Sequence, residues 1–140
     1  MQAIATWRNG YETLLEDAHA HSVVVDLPVD EGGRSVGPSA IELCVLSLAG
    51  CITTIFAVVA RKRHLVFQGM TVALEAERPR GAPTITRVRG TLRIRTRAEP
   101  AEVEAALRLT MKTCPVGVIF EQAHIPVEIT PIVMAGSGSP

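Results

Sequence analysis

Three cysteines, at positions 44, 51 and 114, are the residues of this chain whose type and spacing could do redox chemistry. A thiolate is the nucleophilic form of cysteine, and its reactivity is set by its surroundings. Cys44 and Cys51 are seven residues apart in one predicted helix, which separates them by about 10.5 Å along its axis. A disulfide needs Cα atoms within about 7 Å, so these two cannot bridge. An internal disulfide would therefore join Cys114 to either Cys51 or Cys44.

The local sequence predicts a different environment for each cysteine. Cys114 directly precedes Pro115, so we expect it at a helix N-terminus, where the helix dipole favours the thiolate. Gly50 beside Cys51 leaves room for another group to approach that sulfur closely. Cys44 has no such feature and is predicted to be a packing residue.

The apolar segment 38–61 is predicted to form a long helix with Ser39 as its N-cap. No charged residue occurs between positions 44 and 60, and a helix that is apolar all round must be enclosed by protein or by lipid. Its length is at the lower limit for crossing a membrane, and basic residues follow at 61–63. We favour a buried core helix over a membrane span because Glu42 lies at its start and predicted amphipathic strands flank it.

The composition places broad limits on the protein. Its 140 residues are 47% hydrophobic and include 14 basic and 14 acidic side chains. This length predicts one domain over 1–134, followed by a flexible tail at 135–140. Zero net charge gives no general reason to expect a nucleic-acid partner. The N-terminal residues lack the basic and apolar regions of a secretion signal, so we expect a cytoplasmic protein. The cysteine spacing predicts no structural metal site.

Hydrophobic periodicity predicts an α+β chain. The predicted strands cover 3–7, 11–15, 21–27, 70–77, 85–97 and 125–133, and the predicted helices cover 38–61, 100–114 and 116–123. Asn9-Gly10 is a strong hairpin-turn signal, and the glycine-rich segment 30–37 is predicted to be a mobile loop. Five arginines alternate along 87–97. We expect them to form a solvated face paired with Glu75 and Glu77, because no aromatic residues are interleaved for stacking on bases.

Several short motifs occur together in this chain. They are Gly37-Pro38, Glu42-Leu43 and Ala49-Gly50-Cys51 at the head of the apolar helix, Arg61-Lys62-Arg63 after it, and Lys112-Thr113-Cys114-Pro115-Val116 later in the chain. This combination resembles the OsmC/Ohr family, the osmotically inducible protein C and organic hydroperoxide resistance proteins. The likeness covers nearly the entire chain. It implies an OsmC-like α+β fold, with antiparallel sheets wrapped around a long buried central helix, and an intertwined homodimer.

The resemblance also implies a function, that of a cysteine-based thiol peroxidase reducing organic and lipid hydroperoxides. By position, Cys51 resembles the peroxidatic cysteine, which becomes a sulfenic acid. Cys114 resembles the resolving cysteine, which would form a Cys51–Cys114 disulfide. An external dithiol, of the lipoyl type or another, would reduce this disulfide. The resemblance implies no metal and no bound cofactor, and no membrane or nucleic-acid partner.

Two further site residues are carried over from the resemblance. Arg8, beside the predicted turn, resembles the family's arginine that pairs with the thiolate, and Arg34 is its rival. Glu42 resembles the carboxylate that holds this arginine. On a helix Glu42 lies half a turn away from Cys51, so it could act on the thiol only through such an intermediate group. Taken alone, its position favours a first-turn partner of the helix dipole.

Two departures favour the broad OsmC-like branch over the hydroperoxide-resistance branch. Ile41 occupies the position of that branch's glutamate, and Ile52 stands where an aromatic residue is usual. The alternative function is therefore a non-catalytic member that senses redox state or binds an apolar ligand. If the protein is a peroxidase, its apolar surroundings at Cys51 favour alkyl or lipid hydroperoxides over hydrogen peroxide.

Overall fold

The structure is a computed structural model, and it describes residues 1–136. The chain divides into two compact units, Met1–Cys44 and Val45–Pro140, which are described in turn. The strands are β1 (Ala3–Asn9), β2 (Glu12–Asp17), β3 (Ser22–Val25), β4 (Phe67–Glu77), β5 (Arg87–Thr96) and β6 (Val127–Ala135), and the helices are α1 (Ala40–Lys62), α2 (Pro100–Thr113) and α3 (Pro115–Gln122). The predicted tail starts too early, because β6 continues to Ala135; positions 137–140 lie outside the described residues.

The N-terminal unit contains an antiparallel sheet in the order β1-β2-β3. The predicted hairpin turn is confirmed, but its loop is Gly10-Tyr11, because Asn9 pairs with Glu12 after a bulge in β1. Gly10 has a φ of 55°, which glycine adopts at little cost. The indole N–H of Trp7 donates to the Gly10 carbonyl at 2.9 Å and closes the turn.

The loop predicted to be mobile is instead held by one buried carboxylate, Asp26, whose exposed fraction is 4%. Its oxygens accept the amide hydrogens of Leu27 and Arg34, both at 2.9 Å, and of Val36 at 3.4 Å. Burial alone would raise the pKa of Asp26, but the hydrogen bonds from these amides lower it below its ordinary value. The glycine-rich composition of this loop predicted mobility, because composition alone does not reveal hydrogen bonds to a carboxylate elsewhere in the chain.

The second unit contains the sheet β4-β5-β6, in which β4 and β5 are antiparallel. The prediction of antiparallel sheets is wrong for β6, which runs parallel to β5 with Val88 opposite Val127. Helices α2 and α3 lie between these two strands in the chain, and a helical crossover returns the next strand in the same direction.

The arginine-bearing face of β5 forms ion pairs with both neighbouring strands. Arg89 lies 3.2 Å from Glu77 of β4, as predicted, and 3.7 Å from Glu128 of β6. Arg87 lies 2.8 Å from the same Glu128 carboxylate. The partly exposed pairs support the prediction of a solvated face, although Glu128 was not foreseen as a partner.

Helix α1 buries one face in the core of the second unit. This core contains Phe56, Val59 and Ala60 of α1, Leu65, Leu92 and Ile94, and Val103, Ala106 and Leu107 of α2. Phe56 also meets Phe67 edge-on, with ring centroids 6.4 Å apart. Four-residue spacing along α1 thus directs Leu48, Ile52 and Phe56 to the same buried face.

The opposite face of α1 is exposed in this chain. The single chain therefore differs from the prediction that the helix is enclosed on all sides. Leu46 and Val58 on that face are 56% and 44% exposed. Within residues 1–136, α1 is the one helix whose length and composition would allow it to cross a membrane, with a mean hydropathy of 2.4. Its packing of Phe56 and Val59 against α2 and β5 favours the core-helix interpretation.

Candidate active site

Two cysteines meet at the site. The Sγ atoms of Cys51, in the middle of α1, and Cys114, between α2 and α3, are 2.8 Å apart. Both are thiols in this structure. Because a disulfide bond is about 2.0 Å long, a shift of about 0.8 Å would join them. Of the two partners that the spacing left open for Cys114, the structure therefore brings Cys51 next to it, while Cys44 is exposed.

The sequence after α2 explains the position of Cys114. Its amide donates to the Thr110 carbonyl at 2.8 Å and ends α2, and Pro115 then starts α3. Proline disfavours a helical conformation for the residue before it, and Cys114 accordingly has an extended backbone with ψ of 112°. The thiol is fully buried as a result of this junction between two helices.

Gly117, in the first turn of α3, is a site residue that the sequence analysis missed. Its amide donates to Cys114 Sγ at 3.3 Å, so the sulfur acts as the N-cap acceptor of α3. A Cβ at this position would lie 3.5 Å from the same sulfur. The glycine three residues after Cys114, at the start of a helix, was the available signal. By contrast, a Cβ on Gly50 would meet no atom within 4 Å among the described residues.

The protonation of Cys114 differs from the expectation. Burial, followed by the hydrogen bond to Cys51, raises the pKa of the Cys114 thiol to about 11, whereas the Gly117 and Val116 amides lower it. The helix N-terminus does favour the thiolate, as predicted, but desolvation outweighs it. Cys114 is therefore a neutral thiol near pH 7.

Glu42 lies in the first turn of α1 and forms a reciprocal capping box with Ser39. Its carboxylate accepts the Ser39 amide and hydroxyl hydrogens, both at 2.7 Å, and the Glu42 amide donates to Ser39 Oγ at 3.3 Å. The hydrogen bonds from Ser39 lower the pKa of Glu42. This geometry supports Ser39 as N-cap and Glu42 as a first-turn partner of the helix.

The two candidate arginines converge on one carboxylate that the sequence analysis did not identify. Glu12, at the start of β2, lies 3.8 Å from Arg8 and 2.5 Å from Arg34. The Glu12 side chain is 16% exposed, less than either arginine, so it lies beneath both guanidinium groups. Neither arginine is paired with Glu42 in an ion pair of the described part of the chain.

Two cavities share residues near the end of α2, and neither sulfur is among the described residues that line them. One, of about 640 Å³, is lined by Gly117, Met111, Lys112, Glu121, His124, Ile125, Pro126 and Val127. The other, of about 440 Å³, shares Met111, Lys112 and Val127 with it and extends along α2 and β6. Gly117 connects the first cavity to the environment of Cys114. Residues 1–136 contain no cluster of three or more His, Cys, Asp and Glu side chains suited to a metal ion.

The chain belongs to the OsmC-like protein family, whose family model matches residues 31–130. No curated protein matches it. Among solved structures, the OsmC-like protein of Mycoplasma pneumoniae has a TM-score of 0.84 at 10% identity, covering 95% of this chain and 96% of that one.

Two further structures with the same fold are organic hydroperoxide resistance proteins. The protein from Elizabethkingia anophelis has a TM-score of 0.77 at 15% identity, over 96% of this chain and 97% of that one. The protein from Legionella pneumophila, also described as a predicted redox protein, has a TM-score of 0.75 at 16% identity, over 94% and 96% of the two chains. At these identities the similarity demonstrates a common fold, and the family membership indicates a redox or hydroperoxide-related function.

Proposed function

We propose that this protein is a thiol-dependent peroxidase that reduces organic hydroperoxides, with Cys51 as peroxidatic and Cys114 as resolving cysteine. The observation that carries the proposal is the 2.8 Å separation of their sulfur atoms within an OsmC-like chain. Cys51 is partly exposed and Cys114 is buried, so a peroxide arriving from solvent meets Cys51 first. This difference in access supports the two proposed roles.

The proposed reaction has two chemical steps on the protein. The Cys51 thiolate attacks the terminal peroxide oxygen, an S–O bond forms, the O–O bond breaks, and the alkoxide leaves as an alcohol after taking a proton. Cys51 is thereby oxidised to a sulfenic acid. The Cys114 sulfur then attacks the Cys51 sulfur, an S–S bond forms and the oxygen leaves as water. An external dithiol returns two electrons and two protons to the disulfide.

The protonation of Cys114 supports this order of events. With a pKa raised to about 11 by burial, Cys114 stays a thiol near pH 7 and does not compete for peroxide. Once Cys51 is a sulfenic acid, the neighbouring sulfur reacts within one molecule, where proximity replaces nucleophilic strength. The resolving step therefore depends on contact between the two sulfur atoms.

The arginine and carboxylate of the proposed mechanism come from the family resemblance. In that assignment Arg8 stabilises the Cys51 thiolate and Glu42 holds the guanidinium group. In this structure the Glu42 carboxylate is engaged by Ser39, and Arg8 and Arg34 both pair with Glu12. The proposed roles of Arg8 and Glu42 thus require these contacts to exchange during the catalytic cycle.

We further propose that the protein is a homodimer. The exposed face of α1 carries Leu46, Gly50, Thr54 and Val58 at four-residue spacing, and its two large apolar side chains are 56% and 44% exposed. A second copy that covers an apolar helix face of this kind removes its side chains from water, which is favourable. A cytoplasmic location remains a prediction.

The apolar surroundings of the pair favour alkyl or lipid hydroperoxides as substrates. Leu48 and Ile52 lie close to Cys51 on α1, and the cavity that Gly117 lines also contains the apolar side chains of Met111 and Val127. An alkyl chain gains free energy by leaving water for such surroundings, which hydrogen peroxide does not. We therefore expect cumene hydroperoxide to be consumed with a kcat/KM at least tenfold higher than that of hydrogen peroxide.

The test is peroxide consumption with dithiothreitol as reductant, using wild-type protein and three single cysteine variants. Cys51→Ser should abolish turnover, and Cys114→Ser should allow one oxidation of Cys51 but not repeated turnover. Cys44→Ser is the matched control because this thiol is exposed and on the same helix. Equal turnover by Cys51→Ser and wild type would contradict the proposal.

A second candidate function rests on the two cavities along α2 and β6. The two cavities share Met111, Lys112 and Val127, and this combination of apolar side chains with a lysine would suit an apolar ligand with an anionic end. In this case the protein would bind a ligand or sense redox state without turnover. Absence of peroxide consumption, combined with a change in the NMR signals of Met111 or Lys112 on addition of a fatty acid, would favour this alternative.

A further inference from the structure

The two sulfur atoms of the pair differ in their access to solvent, and this difference bears on how the oxidised pair is reduced. Cys51 is partly exposed on α1, whereas Cys114 is fully buried at the junction of α2 and α3. A disulfide is reduced by in-line attack of a thiolate on one of its sulfur atoms, so access decides which one is attacked. In the single chain, Cys51 is the more accessible of the two sulfur atoms, which favours attack on it.

The first turn of α3 determines where the displaced sulfur goes. The Gly117 amide donates to Cys114 Sγ at 3.3 Å, and a backbone hydrogen bond from Val116 also favours the anion. Amide donors aimed at a sulfur stabilise it more when it carries a negative charge. Since burial destabilises that charge, these two amides are the groups that make a Cys114 thiolate tolerable as a leaving group.

We propose that the external thiol enters at Cys51 and expels Cys114 into the first turn of α3. This inference rests on the proposed peroxidase function. The incoming thiolate attacks Cys51 Sγ and forms a new S–S bond, the Cys51–Cys114 bond breaks, and its electron pair goes to Cys114 Sγ, which then takes a proton from solvent. In the second step, the other thiolate of a dithiol attacks the reductant's own sulfur, closes a cyclic disulfide and releases the Cys51 thiolate.

The family resemblance implies a dithiol reductant, and the position of Cys114 gives a physical reason for it. After the first step the Cys114 sulfur still lies against Cys51, where it can attack and expel a monothiol again. Only a second thiol within the reductant competes with that return reaction. Reduction by a monothiol such as glutathione should therefore be slow, with the mixed disulfide on Cys51 as its intermediate.

The experiment maps the mixed disulfide. A Cys44→Ser background is needed because no Lys or Arg lies between positions 44 and 51, so trypsin leaves both on one peptide. The protein is oxidised to the disulfide with diamide, treated with glutathione, quenched with acid and N-ethylmaleimide, and analysed by peptide mass spectrometry. We expect glutathione on the Cys51 peptide and maleimide on the Cys114 peptide, in at least tenfold excess over the reverse arrangement.

If the mixed disulfide is too short-lived to be trapped, a second measurement tests the same inference. In the same background, Cys114→Ser and Cys51→Ser each leave one thiol of the pair, and Ellman's reagent should label Cys51 at least 100-fold faster than Cys114. Glutathione on Cys114, or equal labelling rates, would overturn the inference while leaving the peroxidase proposal intact. Failure of diamide to form the Cys51–Cys114 disulfide would instead contradict the peroxidase proposal itself.

Discussion

The amide of Gly117 donates a hydrogen bond to the sulfur of Cys114 at 3.3 Å, so the resolving cysteine of the proposed mechanism is also the N-cap of α3. The thiol is held by backbone geometry at the place where α2 ends and α3 begins. Its 2.8 Å separation from Cys51 therefore depends on the packing of two helix termini. Changes in this small region should alter the chemistry more than the overall fold.

Substitution of Gly117 tests this packing. A Cβ here would meet Cys114 Cβ at 3.4 Å and Sγ at 3.5 Å, which is ordinary contact, and alanine has a helix propensity better by about 1 kcal/mol. Gly117→Ala should therefore keep the Tm and the rate of disulfide formation near wild type. Gly117→Val adds two methyl groups beyond that Cβ to a filled site, which costs about 1–3 kcal/mol and should slow disulfide formation at least tenfold.

Gly69→Ala and Gly69→Val serve as controls, because a Cβ at this exposed glycine of β4 meets nothing within 4 Å in the described chain. Both should leave disulfide formation unchanged. The rates are measured by loss of free thiols after one equivalent of diamide. A Gly117→Val protein that oxidises as fast as wild type would show that this contact does not position Cys114.

The raised pKa of Cys114 predicts a pH dependence of stability. Its value is about 11 in the folded protein against an ordinary value of 9.0, so the folded state retains the proton longer than the unfolded chain. The corresponding contribution to stability is fully present below pH 9 and is lost as the pH rises through about 11. Thermal unfolding under reducing conditions should show a steeper loss of Tm between pH 9 and 11 for wild type than for Cys114→Ala.

The exposed Cys44 offers the comparison for this measurement. Cys44→Ala should reproduce the wild-type slope, because its side chain is not buried. Identical slopes for wild type and Cys114→Ala would mean that the thiol at 114 titrates near its ordinary pKa. In that case the buried environment described for Cys114 would be incorrect.

The choice between Arg8 and Arg34 can be made by substitution. If Arg8 stabilises the Cys51 thiolate, Arg8→Ala should lower the second-order rate of Cys51 oxidation by about 10²- to 10³-fold, the size expected for loss of one charge-stabilising donor. Arg34→Ala should then have less than a tenfold effect. Stopped-flow measurement of sulfenic acid formation separates the two, and the reverse ranking would assign the role to Arg34.

The exposed face of α1 predicts the assembly state. Leu46→Asp and Val58→Asp place charges where the proposed dimer would bury apolar side chains, and an uncompensated buried charge is costly. Light scattering coupled to size-exclusion chromatography should show a wild-type dimer of about twice the 15.0 kDa chain mass and a larger monomer fraction for these variants. Thr84→Asp, at an exposed position outside α1, is the control. A wild-type monomer would contradict the dimer proposal.

The elements that local rules govern could be predicted from the sequence. Ser39 and Glu42 form the expected first turn of α1, Asn9-Gly10 marks the hairpin, and alternation identified β4 and β5. Such signals need only the residues of one segment, because capping, turn conformation and strand alternation are local properties. The family motifs extended this to the fold class.

The features that depend on distant segments could not be predicted. The direction of β6 is set by the crossover through α2 and α3, and the burial that raises the pKa of Cys114 comes from packing around a junction of helices. Glu12 lies 22 residues from Arg34 in the chain, so their pairing has no local sequence signal. In the same way, the hydrogen bonds that Asp26 accepts from Arg34 and Val36 hold a loop whose composition alone predicts mobility.

The central claim is that the sulfur atoms at 51 and 114 act as one redox pair. The most direct measurement treats reduced Cys44→Ser protein with one equivalent of cumene hydroperoxide, without added thiol, and maps its peptides by mass spectrometry. We expect a disulfide linking the Cys51 and Cys114 peptides within the time in which one equivalent of alcohol appears, and none in Cys51→Ser. Consumption of the peroxide with Cys51 left as a sulfenic acid, while Cys114 remains a free thiol, would contradict it.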